Sequence, residues 1–342
     1  MKLLISILEP SGNLHFKPIF DSLESCEIFG IFDEKFGTPL LPSSAFSIMG
    51  FVDAIPKIRL AKRTIKEMVK LSFDVDTVLL IDSPAFNLPL ARAIKEANPT
   101  IKIVYYILPQ VWAWKAKRVK KVEKYCDVLA SILPFEQQFY NKATYVGHPL
   151  LDEISRCKES YEHSEYICYL PGSRKSEIAK LLPIYKEVAK KLNKKSILVI
   201  PSHFNKEQIE EIYGDISEFE ISTDAHESFL KSEFAFVCSG TATLESSLIG
   251  TPLVLAYKAK AIDAFIARRF VKLKHVGLAN IIFDFEGLES LHVELLQDDV
   301  RVENLLSEYK NLDREKFFKN SQKLRDILKH GSKNEIIKLI KI

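Results

Sequence analysis

The stretch Val237–Tyr257, VCSGTATLESSLIGTPLVLAY, decides the fold. It begins inside the apolar run Phe234–Cys238, which predicts a buried strand, and it ends in a second run of the same kind. Between the two runs, Ser239-Gly240-Thr241 predicts a tight turn and a helix N-cap, and Gly250 followed by Thr-Pro predicts the end of that helix. A strand–turn–helix–strand unit presents unpaired N–H groups at the helix N-terminus, which favours an anion there. Alternatively, this is an ordinary Ser/Thr-capped helix with Glu245 on a solvated face.

The composition is that of a globular protein with more than one domain. The chain has 342 residues, 47% hydrophobic and 27% charged, and a net charge of +3. This length favours two domains. Because the net charge is small, affinity for anions must come from local clusters of basic residues. Five cysteines without a CxxC pair favour a reducing cytoplasm over disulfides or zinc. We interpret Met1–Leu8 as a first strand rather than a signal peptide, and no apolar run reaches transmembrane length.

Apolar runs alternate with amphipathic stretches along the whole chain, which predicts an α/β protein with parallel sheets. The strands expected in the first half are Lys2–Leu8, Ile28–Ile31, Thr77–Ile81, Ile101–Ile107, Val128–Ile132 and Thr144–Val146. The helices expected there are Leu14–Leu23, Met49–Leu71, Leu88–Ala97 and Ala113–Cys126. A polar stretch over 152–165 predicts a linker, after which the alternation restarts. The second half begins with the strand Tyr166–Leu170, a helix from Ser176, the strand Ser196–Ile200 and a helix from Lys206. The chain therefore predicts two Rossmann-like domains in tandem.

Chemically useful side chains follow the predicted strands. In open parallel sheets ligands bind outside the carboxyl ends of the strands, so the loops there are the candidate sites. The relevant loops are Glu9–Asn13, Asp82–Asn87, Leu108–Trp114 and Pro171–Arg174. Acidic, amide, aromatic and arginine side chains at so many strand ends favour two domains that face each other across a cleft.

These residues resemble the lipid-A-disaccharide synthase family, membrane-associated glycosyltransferases of lipopolysaccharide synthesis. The resemblance covers most of the chain in the same order. The matching segments are Ser47–Gly50, Ile81–Asn87, Gln110–Lys115, Lys117–Val119, Leu133–Glu136, Val146–His148, Leu170–Arg174, Ser239–Ala242 with Leu244–Glu245, and Ala267–Arg269. Val-Trp-Ala-Trp and Leu-Pro-Gly-Ser-Arg together make the resemblance specific.

The resemblance implies a GT-B type fold and an inverting, metal-independent transfer. UDP-2,3-diacylglucosamine and 2,3-diacylglucosamine 1-phosphate (lipid X) would give a β-1′,6-linked disaccharide 1-phosphate and UDP. It implies an acceptor-side domain over 1–152, completed by a C-terminal helix over 318–342, and a UDP-sugar domain over 153–317. No cofactor, metal or nucleic acid is expected. The expected location is the inner face of the cytoplasmic membrane, with peripheral attachment to its anionic surface, and a homodimer stays open.

For the UDP-sugar, the resemblance implies a donor site in the second domain. Arg174 follows a Gly-Ser turn and can fork onto phosphate oxygens, although it could instead be a surface arginine paired with Glu177. Glu245 resembles the acid that holds the donor ribose, and Asn280 occupies a donor-site position, although it could equally be a loop amide. The donor-site residues expected are Gly172, Ser173, Arg174, Ser239, Gly240, Thr241, Glu245 and Asn280.

For the acceptor, a base must remove the proton of its hydroxyl, and the candidates are Asp82 and Glu9. Two family carboxylates are missing, because Asn13 and Ala85 stand where the family usually has aspartate. His148 is assigned a structural role. The Asp74-Val-Asp76 segment matches a metal-binding pattern but precedes a strand, so we interpret it as a turn.

An apolar ridge bordered by lysine and arginine predicts contact with lipid and with acyl chains. The residues assigned to the acceptor and lipid side are Asn87, Trp112, Phe51, Val52, Ile55 and Ile58. For the two tryptophans of the Val-Trp-Ala-Trp segment, buried packing is the alternative. Two other functions stay open: a UDP-N-acetylglucosamine 2-epimerase, and a membrane-associated nucleotide-sugar-binding protein without catalysis.

Overall fold

Two parallel β-sheets organise the protein, whose structure is a computed structural model that describes residues 1–45, 54–258 and 273–341, without the side chains of 54–57. The first sheet has the order β3-β2-β1-β4-β5-β6-β7 and the second β10-β9-β8-β11-β12-β13. The strands of the first sheet are β1 (Lys2–Ile7), β2 (Glu27–Phe32), β3 (Leu41–Pro42), β4 (Thr77–Ile81), β5 (Lys102–Tyr106), β6 (Val128–Ser131) and β7 (Ala143–Tyr145). Those of the second are β8 (Tyr166–Leu170), β9 (Lys195–Val199), β10 (Glu220–Ser222), β11 (Phe234–Cys238), β12 (Leu253–Tyr257) and β13 (Val293–Leu296).

Helices connect most of these strands, as parallel pairing requires. Those of the first half are α1 (Pro10–Phe20), α2 (Ala54–Leu71), α3 (Pro84–Ala97), α4 (Val119–Tyr125) and α5 (Pro149–Glu153). Those that follow are α6 (Lys175–Leu192), α7 (Lys206–Tyr213), α8 (Ala225–Lys231), α9 (Thr241–Ile249), α10 (Leu278–Phe285), α11 (Val302–Asn311), α12 (Arg314–Leu328) and α13 (Ser332–Lys341). Short 3-10 turns include Ala116–Arg118 and Pro134–Gln138.

Both faces of the first sheet are buried, which explains why its strands are apolar without alternation. Along β4, Val78 and Leu80 enter the cluster that contains Leu90 of α3. Leu79 and Ile81 enter the opposite cluster, which contains Phe16 of α1 and Ile336 of α13. The C-terminal helix therefore completes the core of the first sheet.

The chain divides into two compact units. The first comprises Met1–Glu153 and the residues from Leu328 onward, and the second comprises Ile154–Ile327. The segment that returns to the first unit thus starts where α12 ends, ten residues after the position 318 expected from the sequence.

The strands that the sequence analysis did not predict are short and lie at sheet edges. They are β3, β10 and β13, of two, three and four residues. All the described residues of β3 and most of β10 and β13 are half-buried or exposed, so they lack the apolar signal of the central strands. By contrast, β4 and β8 have the predicted bounds.

Candidate active site

Each sheet has one position where its connections change direction. In the first sheet β1 and β4 are neighbours, and α1 and α3, which follow them, pack on opposite faces. In the second sheet β8 and β11 are the corresponding pair. Such a reversal opens a crevice at the carboxyl ends of the two strands, where ligands of α/β proteins bind. Of the loops that the sequence singled out, Glu9–Asn13, Asp82–Asn87, Pro171–Arg174 and Ser239–Thr241 follow these four strands, and Leu108–Trp114 follows β5.

Asp82 leaves the end of β4 in a strained conformation. Asp82 and Ser83 have φ angles of +49° and +44°, a region that costs non-glycine residues roughly 1–3 kcal/mol each. The hydroxyl of Tyr105 and Nδ2 of Asn87 both donate to the carbonyl oxygen of Asp82, each at 2.8 Å. Burial raises the pKa of the Asp82 carboxyl, the charge of Glu9 raises it further, and the Ser83 N–H and His15 oppose both. The site thus contains a partly desolvated carboxyl group on a fixed turn.

Asn87 is the residue that holds this turn. Its side chain is fully buried, its Nδ2 also donates to the carbonyl oxygen of Ile81 at 3.1 Å, and its Oδ1 accepts from the hydroxyl of Ser6 at 2.6 Å. We expected Asn87 to face the acceptor. In the structure its amide is hydrogen-bonded within the unit, so it orients Asp82 through the main-chain carbonyl group of that residue.

The neighbouring loop supplies Glu9 and a histidine that the sequence analysis missed. Glu9 is exposed at the N-cap position of α1, and its side chain does not cap that helix. Nδ1 of His15, six residues further along α1, lies 2.5 Å from Oε1 of Glu153 in α5. A carboxylate at one ring nitrogen orients the imidazole ring. No sequence signal joins these partners, because 138 positions separate them.

Of the two tryptophans, Trp112 is buried and Trp114 is exposed. Trp112 is 9% exposed and its ring meets Phe135 edge to face, with ring centroids 5.3 Å apart, which favours the alternative of buried packing. Trp114 is 47% exposed, with Nζ of Lys115 4.1 Å from its ring centroid. The indole nitrogen of Trp112 donates to Oε1 of Glu136 at 3.2 Å.

In the second unit, the loop after β8 is built around Gly172. Its φ is +112°, and a Cβ there would lie 2.7 Å from Oε2 of Glu177, so only glycine fits without displacing this carboxylate. Arg174 pairs with Glu177 (Nη1 to Oε1, 2.7 Å), which is the ion pair that the sequence left as an alternative. The guanidinium is 76% exposed and keeps free donors, whereas Glu177 is 9% exposed. Ser173 is exposed beside it.

The loop after β11 starts α9 without a side-chain cap. Gly240 is the N-cap residue and makes no side-chain cap hydrogen bond, which contradicts the alternative of a Ser/Thr-capped helix. Ser239 is half-buried, Gly240 and Thr241 are exposed, and Glu245 is half-buried one turn along. This helix start therefore offers backbone donors and its dipole to an anion.

Asn280 is buried and its amide is bonded within the unit. Its Nδ2 donates to Oε1 of Glu294 (2.8 Å) and its Oδ1 accepts from the N–H of Leu291 (2.8 Å). The same Glu294 accepts from the N–H groups of Val276 and Gly277 at the start of α10. A carboxylate of the chain already occupies this helix start, so Asn280 holds the loop rather than pointing outward.

Two further sequence predictions concern residues outside these loops. His148 is buried, its Nδ1 accepts from the N–H of Leu150 at 3.2 Å, and burial lowers its pKa to about 3, which suits the structural role. Asp76 accepts from the N–H of Lys2 at 2.7 Å, at the amino end of the sheet, as expected of a turn.

Part of the expected lipid-facing surface lies outside the described residues. Phe51, Val52 and the side chain of Ile55 are not described, nor are the matching segments Ser47–Gly50 and Ala267–Arg269. Ile58 is described and is 55% exposed on α2.

The described residues contain neither a cluster of metal ligands nor a membrane-spanning helix. Within 1–45, 54–258 and 273–341, no three His, Cys, Asp or Glu side chains cluster as metal ligands would. None of the helices described there is long and apolar enough to cross a membrane.

Comparison with known proteins decides the family. The family model described as lipid-A-disaccharide synthetase matches residues 3–339. The lipid-A-disaccharide synthase of Campylobacter jejuni (NCTC 11168) is 50% identical, with 98% of both chains covered. That of Helicobacter pylori (26695) is 49% identical, covering 98% of this chain and 96% of its own. The chain belongs to the lipid-A-disaccharide synthase family.

Solved structures of other proteins share the fold of this chain. MurG of Acinetobacter baumannii superposes with a TM-score of 0.62 at 10% identity over 99% of both chains. The UDP-GlcNAc 2-epimerase of Neisseria meningitidis gives 0.58 at 12% identity over both full chains. These superpositions confirm the predicted two-domain α/β fold of GT-B type, and the family match confirms the predicted glycosyltransferase. The likeness to epimerases is one of fold alone.

Proposed function

We propose that this lipid-A-disaccharide synthase family member transfers the sugar of UDP-2,3-diacylglucosamine to 2,3-diacylglucosamine 1-phosphate. The observation that carries the proposal is the family match over residues 3–339, and the reversal of connections between β1 and β4 and between β8 and β11 supports it. The acceptor hydroxyl attacks the anomeric carbon, the bond to the UDP oxygen breaks, and the configuration inverts. The proton passes to a base and the electron pair leaves with UDP.

The donor binds to the second unit in this proposal. The start of α9 at Ser239–Thr241 and the guanidinium of Arg174 provide donors for the diphosphate, on adjacent strands of one sheet. Gly172 lets the backbone approach the ligand, and Glu245 accepts from the ribose hydroxyls. Asn280 contributes indirectly, by holding the start of α10.

The base for the acceptor hydroxyl is Asp82 of the first unit. Its raised pKa makes it a stronger base than an ordinary aspartate while it remains ionisable, which is the compromise that general-base catalysis needs. The fixed turn at the end of β4 orients it. Glu9 is the alternative base, because it follows the adjacent strand β1 and its charge raises the pKa of Asp82.

The acylated substrates reach the enzyme from an anionic membrane surface. On α2, Ile58 is exposed among the exposed cations Arg59, Lys62, Arg63 and Lys66. An exposed apolar side chain among several cations is suited to peripheral contact with anionic lipid. We propose attachment of this kind at the cytoplasmic face of the inner membrane.

The deciding experiment supplies both substrates in detergent and follows disaccharide 1-phosphate by mass spectrometry together with UDP. We expect both products in equal amounts, and light scattering of the same preparation shows whether the active species is a homodimer. If the protein made no disaccharide but isomerised UDP-N-acetylglucosamine, the epimerase alternative would replace this proposal. UDP-sugar binding without either product would indicate a non-catalytic binding protein.

A further inference from the structure

Glu136 is a buried acid at the carboxyl end of the first sheet. It lies in the 3-10 turn Pro134–Gln138 after β6 and is 1% exposed. Its Oε1 accepts from the indole N–H of Trp112 at 3.2 Å, and its Oε2 makes no hydrogen bond of ordinary geometry within the described residues. A buried carboxyl with one unbonded oxygen is costly as an anion and much less costly when protonated.

The surroundings of Glu136 favour its neutral form. Burial raises its pKa to about 8, and the indole N–H of Trp112 and the nearby backbone N–H groups of Leu133 and Ile132 only partly oppose this. The titratable group that faces it is Tyr140, whose pKa the charge of Glu136 raises. The charged side chains that act on Tyr140 are Arg118, which lowers its pKa, and Glu123, which raises it.

Glu136 belongs to a set of contacts that fasten one loop. That loop, residues 108–114, follows β5 and contains the Val-Trp-Ala-Trp segment. The hydroxyl of Tyr140 donates to the carbonyl oxygen of Pro109 at 2.8 Å, and Trp112 packs edge to face on Phe135. These two hydrogen bonds and this ring contact join the loop to residues 135–140, in and just after the 3-10 turn.

The same loop begins beside Asp82. The N–H of Asp82 donates to the carbonyl oxygen of Tyr106, the last residue of β5, at 3.0 Å. Tyr105 donates to the carbonyl oxygen of Asp82. Any displacement of the loop after β5 therefore reaches the turn that presents Asp82.

We propose that Glu136 is a positioning residue which, as a neutral acid, holds Trp112 and the loop 108–114 in the arrangement that the acceptor needs beside Asp82. This role rests on the proposed function. When Glu136 ionises, its bond to the indole N–H of Trp112 strengthens, but the buried anion must recruit water around Oε2, and this water displaces Trp112 and the loop. Turnover then declines in mildly alkaline solution, although Glu136 itself does not touch the reacting atoms.

The test uses Trp112 as its own reporter. The chain has two tryptophans, so Trp114→Phe leaves Trp112 as the sole indole. We expect the emission of Trp114→Phe to change with a midpoint near pH 8, and Glu136→Gln on that background to abolish the change. Glu96→Gln, which alters an exposed acid paired with Arg92, is the matched control and should keep the transition.

Activity provides the second readout. For a group with a pKa of about 8, the neutral fraction falls about tenfold between pH 7 and pH 9. Turnover of the wild type should therefore fall by up to about tenfold over this range, and that of Glu136→Gln clearly less. If the emission of Trp114→Phe does not change with pH, the inference is overturned, even if Glu136→Gln does not fold. A fluorescence transition that persists when Glu136→Gln is added also overturns it. Failure of the proposed function would show instead as absence of disaccharide from the wild type, with the fluorescence transition intact.

Discussion

Asn87 donates from Nδ2 to the carbonyl oxygen of Asp82 at 2.8 Å, while its Oδ1 accepts from the hydroxyl of Ser6 on the adjacent strand. One buried amide thus ties the end of β4 to β1. This contact compensates for the left-handed conformation at Asp82 and Ser83, which an unsupported loop would relax.

We expect Asn87→Ala to reduce turnover more than its effect on stability suggests. Loss of the amide leaves buried partners unsatisfied, at about 1–3 kcal/mol, and lets the Asp82 turn relax. The matched control is Asn98→Ala, which removes a 2.9 Å hydrogen bond to the carbonyl oxygen of Ser72 at the opposite end of the sheet. Turnover and urea unfolding should be measured for both. Equal turnover in the two variants would show that Asn87 has no orienting role.

Asp82→Asn tests the base. The amide is nearly isosteric but cannot take the proton, so turnover should fall roughly 10²–10⁴-fold while UDP binding persists. In the wild type, turnover should decline as pH falls through the raised pKa of Asp82, and this acidic limb should vanish in the variant. If Glu9→Gln loses activity and Asp82→Asn keeps it, the base is Glu9.

The same variant carries a stability signature with a defined sign. Because the folded-state pKa of Asp82 is raised, the folded protein holds this proton more tightly than the unfolded chain, and stability falls as pH rises from the ordinary aspartate value through the raised one. Asp82→Asn should therefore unfold at a higher temperature than the wild type near neutral pH, with the difference shrinking in acid. A constant difference at every pH would contradict the raised pKa.

Arg174→Ala should weaken UDP binding and lower turnover. A hydrogen bond to a charged group contributes about 1.5–3 kcal/mol, or roughly 10- to 150-fold in Kd, measurable by calorimetry. Arg156→Ala is the control, since Arg156 is also exposed and paired with a glutamate, Glu227, but lies in the linker before β8. Unchanged UDP affinity in Arg174→Ala would place the phosphates elsewhere.

Ile58→Ser should reduce binding to vesicles that contain anionic lipid. It removes an exposed apolar group among cations, and the remaining binding should weaken further in high salt because exposed charges are screened. Phe73→Ser serves as the control: Phe73 is 61% exposed but follows the C-terminal end of α2, 15 residues after Ile58. Cosedimentation that is equal for wild type and both variants would argue against lipid contact through this part of α2.

Local patterns in the sequence were enough for the central strands and for the order of the loops. The bounds of β4 and β8 follow from uninterrupted apolar runs, because strands buried on both faces need no polar positions. The end of α9 follows from Gly250, whose φ of +94° is the left-handed cap that glycine favours. Arg174 and Glu177 are three positions apart at the start of one helix, so their ion pair could be predicted from the sequence.

Only the tertiary structure could decide the roles of Asn87, Asn280, Glu136 and the His15–Glu153 pair. An amide or a carboxyl in a loop has the same local signature whether it faces a ligand or a buried partner. Its burial and some of its partners come from segments 11 to 138 residues away, and the packing of those segments sets both the hydrogen bonds and the pKa. The chain alone therefore determined which loops gather at the strand ends, and the folded core determined which side chains in them remain free to act, because long-range packing saturates some polar groups and leaves others exposed.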